Sequence, residues 1–137
     1  MPEINTITNS GYGKIQSKGT ITSDSLVLNT INSSGDIELT VNSRFINAHL
    51  FGTADLTLTG QCQTFETNFF GGTGYIYNKN LLVTSYTFIS SNTTGDCYVN
   101  CEGTLDVKIY GQGNIFYTGN AVVHNYPSGG SGKLIKE

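Results

Sequence analysis

Residues 74–132 decide the fold: they read GYIYNKNLLVTSYTFISSNTT (74–94), GDCYVNCEGTLDVKIYGQ (95–112) and GNIFYTGNAVVHNYPSGGS (113–131), and Gly132 opens a fourth run, GKLIKE. Each run begins with glycine, any residue, then an apolar one. The same opening recurs upstream at Gly13-Lys-Ile15, Gly35-Asp-Ile37 and Gly52-Thr-Ala54, so successive openings stand 17 to 22 residues apart. A self-similar period near twenty marks a solenoid, in which one repeat cannot bury its apolar face alone and does so by stacking on its neighbours.

Within a repeat the alternation is two-fold. Asp36-Ile37-Glu38-Leu39, Ala54-Asp55-Leu56-Thr57-Leu58 and Leu105-Asp106-Val107-Lys108-Ile109 each put apolar residues on one side of a strand and polar ones on the other. No window sustains a helical apolar stripe between caps, so almost no helix is expected. Three short strands joined by corners fit into about twenty residues, which is one circuit of a parallel β-helix of about seven turns, roughly 30 Å long at ~4.8 Å per turn. An antiparallel sandwich also uses short strands, but it does not demand the same glycine offset seven times.

The corner positions are then Gly13, Gly35, Gly52, Gly74, Gly95, Gly113 and Gly132, where a positive φ or close passage under the next turn excludes a Cβ. Two residues on, Ile15, Ile37, Ala54, Ile76, Cys97, Ile115 and Leu134 are expected to stack inward. Further inward positions are Leu39, Leu56 and Val99, then Leu28, Phe45, Phe65, Leu82, Leu105 and Val122, then Leu50, Phe69 and Phe88. Residues 1–12 read as an N-terminal cap or the remnant of an upstream segment, and residues 13–137 as the β-helix domain.

The residues that carry a family resemblance are Ser34-Gly35-Asp36-Ile37, Thr94-Gly95-Asp96-Cys97, and above all Gly111-Gln-Gly113-Asn-Ile115-Phe-Tyr117-Thr-Gly119-Asn followed by Gly130-Ser-Gly132-Lys-Leu-Ile-Lys136. With the Gly-x-apolar openings, they make the chain from about Gly13 to Glu137 resemble the "putative auto-transporter adhesin, head GIN domain" family. The resemblance implies an all-β, single-stranded right-handed parallel β-helix of pectin-lyase-like shape. It also implies a secreted, cell-surface or periplasmic bacterial protein, a part in adhesion and no assigned catalytic residues. The chain departs from the family in showing no signal sequence and in replacing the Ser-Gly-Ser-Gly-Asp corner, as at Gly72-Thr-Gly74-Tyr75.

Composition excludes several functions. Net charge is −3, and the seven basic residues are scattered, so no stripe tracks a phosphate backbone and nucleic acid is not an expected partner. No apolar run approaches the ~20 residues of a transmembrane helix, and residues 1–5 lack a basic and apolar leader pattern. Cys62, Cys97 and Cys101 are expected to be free thiols, Cys97 as a small buried member of the inward column, with neither metal nor cofactor. Gly71-Gly72-Thr-Gly74-Tyr-Ile76 begins like a calcium-binding nonapeptide but places Ile76 where the aspartate belongs, so it reads as a plain corner. His49 and His124 each stand alone and read as strand-face residues.

Two outward sets remain as candidate sites. Three residues after the glycine, Tyr77, Tyr98 and Phe116 fall on successive turns and would stack into a ring ladder on a wet face, suited to contact with a glycan or protein. By the same count Glu38 and Asp55 would face each other about 5 Å apart on neighbouring turns, a possible cation or acid pair. The sequence therefore reads as a non-catalytic binding module, with homo-oligomerisation open. The alternatives are a polysaccharide-active lyase or hydrolase on the same fold, which would need paired carboxylates in a cleft, and a self-assembling cell-envelope scaffold.

Overall fold

A computed structural model describes residues 6–9, 11–33, 35–70, 73–126 and 129–137. Ser34, Gly71 and Gly72 of the motifs above lie outside them, as do residues 1–5. The described residues hold ten strands: β1 (Thr6–Asn9), β2 (Ile15–Ser33), β3 (Ile37–Gly52), β4 (Leu56–Phe70), β5 (Ile76–Asn92), β6 (Cys97–Cys101), β7 (Thr104–Ile109), β8 (Ile115–Thr118), β9 (Val122–Tyr126) and β10 (Leu134–Lys136). Every pairing between them is parallel, and β1 joins by pairing Thr6 with Val27 through Asn9 with Thr30. The chain is an all-β, parallel β-solenoid of about six turns. The seven openings of the sequence bound six circuits, because the last opens only the terminal strand β10.

Each circuit has three legs, and burial shows where they meet. In β3 the buried positions are Ile37, Leu39, Val41 and Ser43, then Ile46, Ala48 and Leu50. The two consecutive outward residues Arg44 and Phe45 reset the alternation at a corner. In β5 resets fall at 79–80 and again at 84–85. Phe45 and Val122, expected inside, are therefore 36% and 62% exposed, and Leu82 and Phe88 are only half-buried. Two-fold periodicity does not carry across a bend, and a one-residue offset turns a side chain from one face to the other.

Register produces continuous inward columns. Along the first leg, Ile15, Ile37, Leu56, Ile76, Cys97, Ile115 and Leu134 stack in turn. Along the third leg, the column Leu28, Ala48, Thr67, Ile89 and Val107 sets small residues between larger ones. Fully buried Phe65 and Phe69 are the bulkiest members of the core, and burying such a side chain contributes about 1.5–3 kcal/mol. Asn78 also points inward; it lies in the register shift between β4 and β5 that leaves Leu58 without a β5 ladder partner, and the Asn78 Oδ1 accepts the Leu58 N–H at 3.0 Å instead.

The third opening is set two residues later than the sequence suggested. Leu56, not Ala54, holds the inward place, and Ala54 sits where the other coils put glycine. Gly52 instead ends β3 with a φ of 126°. At the true corner, close approach rather than backbone conformation demands glycine: a Cβ on Gly95 would stand 1.8 Å from the Gly74 carbonyl oxygen, and one on Gly113 2.0 Å from that of Gly95.

Candidate functional site

The outward residue that follows each first-leg core residue forms the column Gln16, Glu38, Thr57, Tyr77, Tyr98, Phe116 and Ile135. Its aromatic members stack. Tyr77 and Tyr98 have ring centroids 5.8 Å apart at 13°, and Tyr98 and Phe116 lie 4.9 Å apart at 11°. Tyr75, two residues before Tyr77 and on the same side of the strand, extends the stack at 5.7 Å and 19°. The structure thus brings Tyr77, Tyr98 and Phe116 together and adds Tyr75, which the sequence offered only as the middle residue of Gly74-Tyr-Ile76.

The orientation of these rings determines what they can bind. Near-parallel planes stacked from coil to coil turn the ring faces toward each other, so both faces of Tyr98 are covered by its neighbours. What reaches solvent is ring edge and phenol hydroxyl, with Tyr75 37% and Tyr77 43% exposed. The Lys79 ammonium lies 4.9 Å from the Tyr98 centroid and 3.0 Å from the Glu137 carboxylate, placing a charged pair beside the rings. Burial, joined by the Asp55 charge, pushes the Tyr77 phenol above its ordinary pKa.

Glu38 and Asp55 do not face each other, because the third opening is shifted. Glu38 pairs in register with Thr57, and its carboxylate binds Lys14 at 2.7 Å, which raises the lysine pKa. Asp55 stacks on Asp36 instead, within a chain of side-chain caps along the glycine corner. The Asp36 carboxylate accepts the Asp55 N–H at 2.9 Å, Asp55 accepts that of Tyr75 at 2.8 Å, Asp96 that of Asn114 at 2.8 Å, and Asn114 that of Lys133 at 2.9 Å. Burial lifts the Asp55 pKa; the Tyr75 N–H partly offsets this, and the Asp36 charge adds to it. These acids hold the corner together and are not aimed at one another.

His124 is not alone either. It stacks on Asp106 and shares a 2.8 Å contact with one carboxylate oxygen, while the Tyr86 hydroxyl donates to the other at 2.8 Å. With both oxygens engaged, Asp106 braces three coils on the outer side of the third leg. Sequence spacing could not show this, because the three residues are 18 to 20 positions apart. The cysteines are buried in the core, and burial pushes the Cys62 thiol up to about 12 and Cys101 to about 11, the opposite of a reactive thiolate. Among the described residues no group of three or more His, Cys, Asp and Glu could hold a metal, and no helix is long and apolar enough to cross a membrane.

The comparisons with known proteins agree with this geometry. The family model described as "Putative auto-transporter adhesin, head GIN domain" matches residues 1–121. The crystal structure of a "putative adhesin" from Bacteroides fragilis NCTC 9343 superposes with a TM-score of 0.87 at 24% identity, a likeness of fold. The match covers 97% of this chain and 60% of that protein, so the chain spans less than two thirds of its length. No curated protein matches the chain.

Proposed function

Because the chain belongs to the auto-transporter adhesin head GIN domain family, we propose that it is a non-catalytic binding domain acting outside the cell or at its surface, with the ring column as its contact face. The observation that carries this reading is a stack of four rings, Tyr75, Tyr77, Tyr98 and Phe116, running across three coils on a wet face of a regular prism. Exposed aromatic area of this kind marks contact surfaces. Because the faces of Tyr77 and Tyr98 are consumed within the stack, only its end rings keep an open face, a small platform for a sugar ring. Edges, hydroxyls and the neighbouring Lys79–Glu137 pair instead suit a protein surface, with apolar contact at the centre and polar groups at the rim.

The enzyme reading asked for two carboxylates facing each other, and its candidate pair, Glu38 and Asp55, is not brought together. Glu38 is held by Lys14, Asp36, Asp55 and Asp96 by backbone N–H groups, and Asp106 by Tyr86 and His124. Beads carrying the purified domain, settled on fibronectin- or collagen-coated surfaces and challenged by flow, test the binding reading. Retention above that of bare surfaces is expected, falling about tenfold, the equivalent of ~1.4 kcal/mol, in the Tyr98→Ser/Phe116→Ser double variant. Light scattering on the same pair of proteins reads any self-association through this face. Retention and particle size that ignore the double substitution, while its melting stays cooperative, would remove the ring column from the account.

A further inference from the structure

The corner between the second and third legs carries a second feature, independent of the rings. A groove of about 470 Å³ runs there along the axis. Its two walls are outward columns. On one side stand Thr22, Asn42 and Gln61, which stack in register; on the other stand Asp24, Arg44 and Gln63, one residue past the buried positions 23, 43 and 62 that form the floor. The groove therefore presents one polar rung per coil on each wall, with rungs spaced by ~4.8 Å.

We propose that this groove binds a short, linear, uncharged glycan lying along the solenoid axis. The first argument is hydrogen-bonding chemistry. Asn42, Gln61 and Gln63 are exposed, and none of their amides is bonded within the described residues. A primary amide offers donors and an acceptor side by side, and a sugar hydroxyl is likewise donor and acceptor, so each amide can engage one or two hydroxyls. The second argument is charge. The only ionised groups in the walls, Asp24 and Arg44, meet at 3.2 Å and cancel, so the groove offers no net field to an acidic ligand. The third argument is spacing: Thr22, Asn42 and Gln61 set one neutral polar group per coil in a line along the axis, so successive units of a linear polymer each meet a hydrogen-bonding partner. No ring lines the groove, so affinity comes from hydrogen bonds alone, in the range of about 1 mM.

The test uses the side-chain NH2 resonances of the isotope-labelled full chain, titrated with cellotetraose, mannotetraose and maltotetraose. Trigalacturonate serves as the acidic comparison and tetra-alanine as the extended peptide. At least one neutral tetrasaccharide is expected to shift the Asn42, Gln61 and Gln63 amides together. The Asn42→Ala/Gln61→Ala/Gln63→Ala variant should weaken that binding by tenfold or more, ~1.4 kcal/mol. These residues are exposed, so the variant should melt like the parent, and the Tyr98→Ser/Phe116→Ser protein should bind the sugar unchanged, which separates this site from the ring column. The proposal is overturned if no neutral tetrasaccharide shifts these amides, if the shifts survive the triple substitution, or if only the acidic trisaccharide or the peptide produces them.

Discussion

At the glycine corner the side chains of successive coils satisfy one another, whereas in the groove only Asp24 and Arg44 do so and the amides of Asn42, Gln61 and Gln63 are left to solvent. Asp36, Asp55, Asp96 and Asn114 each cap a backbone N–H of the next coil, and beside them the rings cover each other's faces. In the groove, stacking in the same register yields amides without protein partners. One tube thus carries a surface organised by internal contacts and another organised for something external. Stacking alone does not distinguish them; what does is whether a side chain finds its partner one coil away.

The first way to break the comparison is to break the layering on which the glycine corner rests. Gly95→Ala would press a Cβ to 1.8 Å from the Gly74 carbonyl, backbone against backbone, with no flexible side chain to yield. A loss of about 3 kcal/mol or more is expected, read as a lowered denaturant midpoint. Gly13→Ala is the control. Its added methyl meets nothing within 4 Å, so its effect should stay within about 0.5 kcal/mol. Equal effects at the two positions would mean that coil-on-coil contact does not set the glycine requirement.

A sharper version compares single side chains on the two surfaces. Asp96→Ala removes the acceptor of the half-buried Asn114 N–H and should cost about 1 kcal/mol. Gln63→Ala removes an exposed amide bonded to no other described residue and should leave the midpoint unchanged. Matching losses would show that the groove side chains are also structural, and the division between the surfaces would fail.

What the sequence disclosed follows this same division. The Gly-x-apolar openings fixed the inward column at six of seven places, and because the register was right from Gly74 onward, the ring column could be read as well. The error at Gly52 arose because Ala54, small enough for the corner, stands in the glycine's place and shifts the count by two. That shift paired Asp55 with Glu38 on paper, while the fold stacks it on Asp36. Phe45 and Val122 were misplaced because corners reset the alternation, and no local pattern announces the reset. The braces at Asp106, and the groove amides that lack them, depend on which residues meet across 18 to 22 positions, information that lies in the register and not in any single window.

The smallest effect concerns a brace that titrates. Burial, reinforced by the hydrogen bond to Asp106, pushes the Tyr86 phenol up to about 12, above its ordinary value of 10.0. A pKa raised in the folded state means the fold favours the protonated phenol. That contribution is complete below pH ~10 and disappears as pH climbs from about 10 through about 12, because the unfolded chain releases its proton first. In a phenolate-absorbance titration of the folded protein, Tyr86 should be among the last of the eight tyrosines to ionise, and Tyr86→Phe should delete that late step. The same variant should lose stability less steeply across this window than the parent. Near neutral pH it should show only the small cost of one missing hydrogen bond, about 1 kcal/mol. If Tyr86→Phe leaves the late ionisation in place, Asp106 does not hold the phenol, and the third leg's outer side belongs with the groove as a surface whose polar groups answer to solvent.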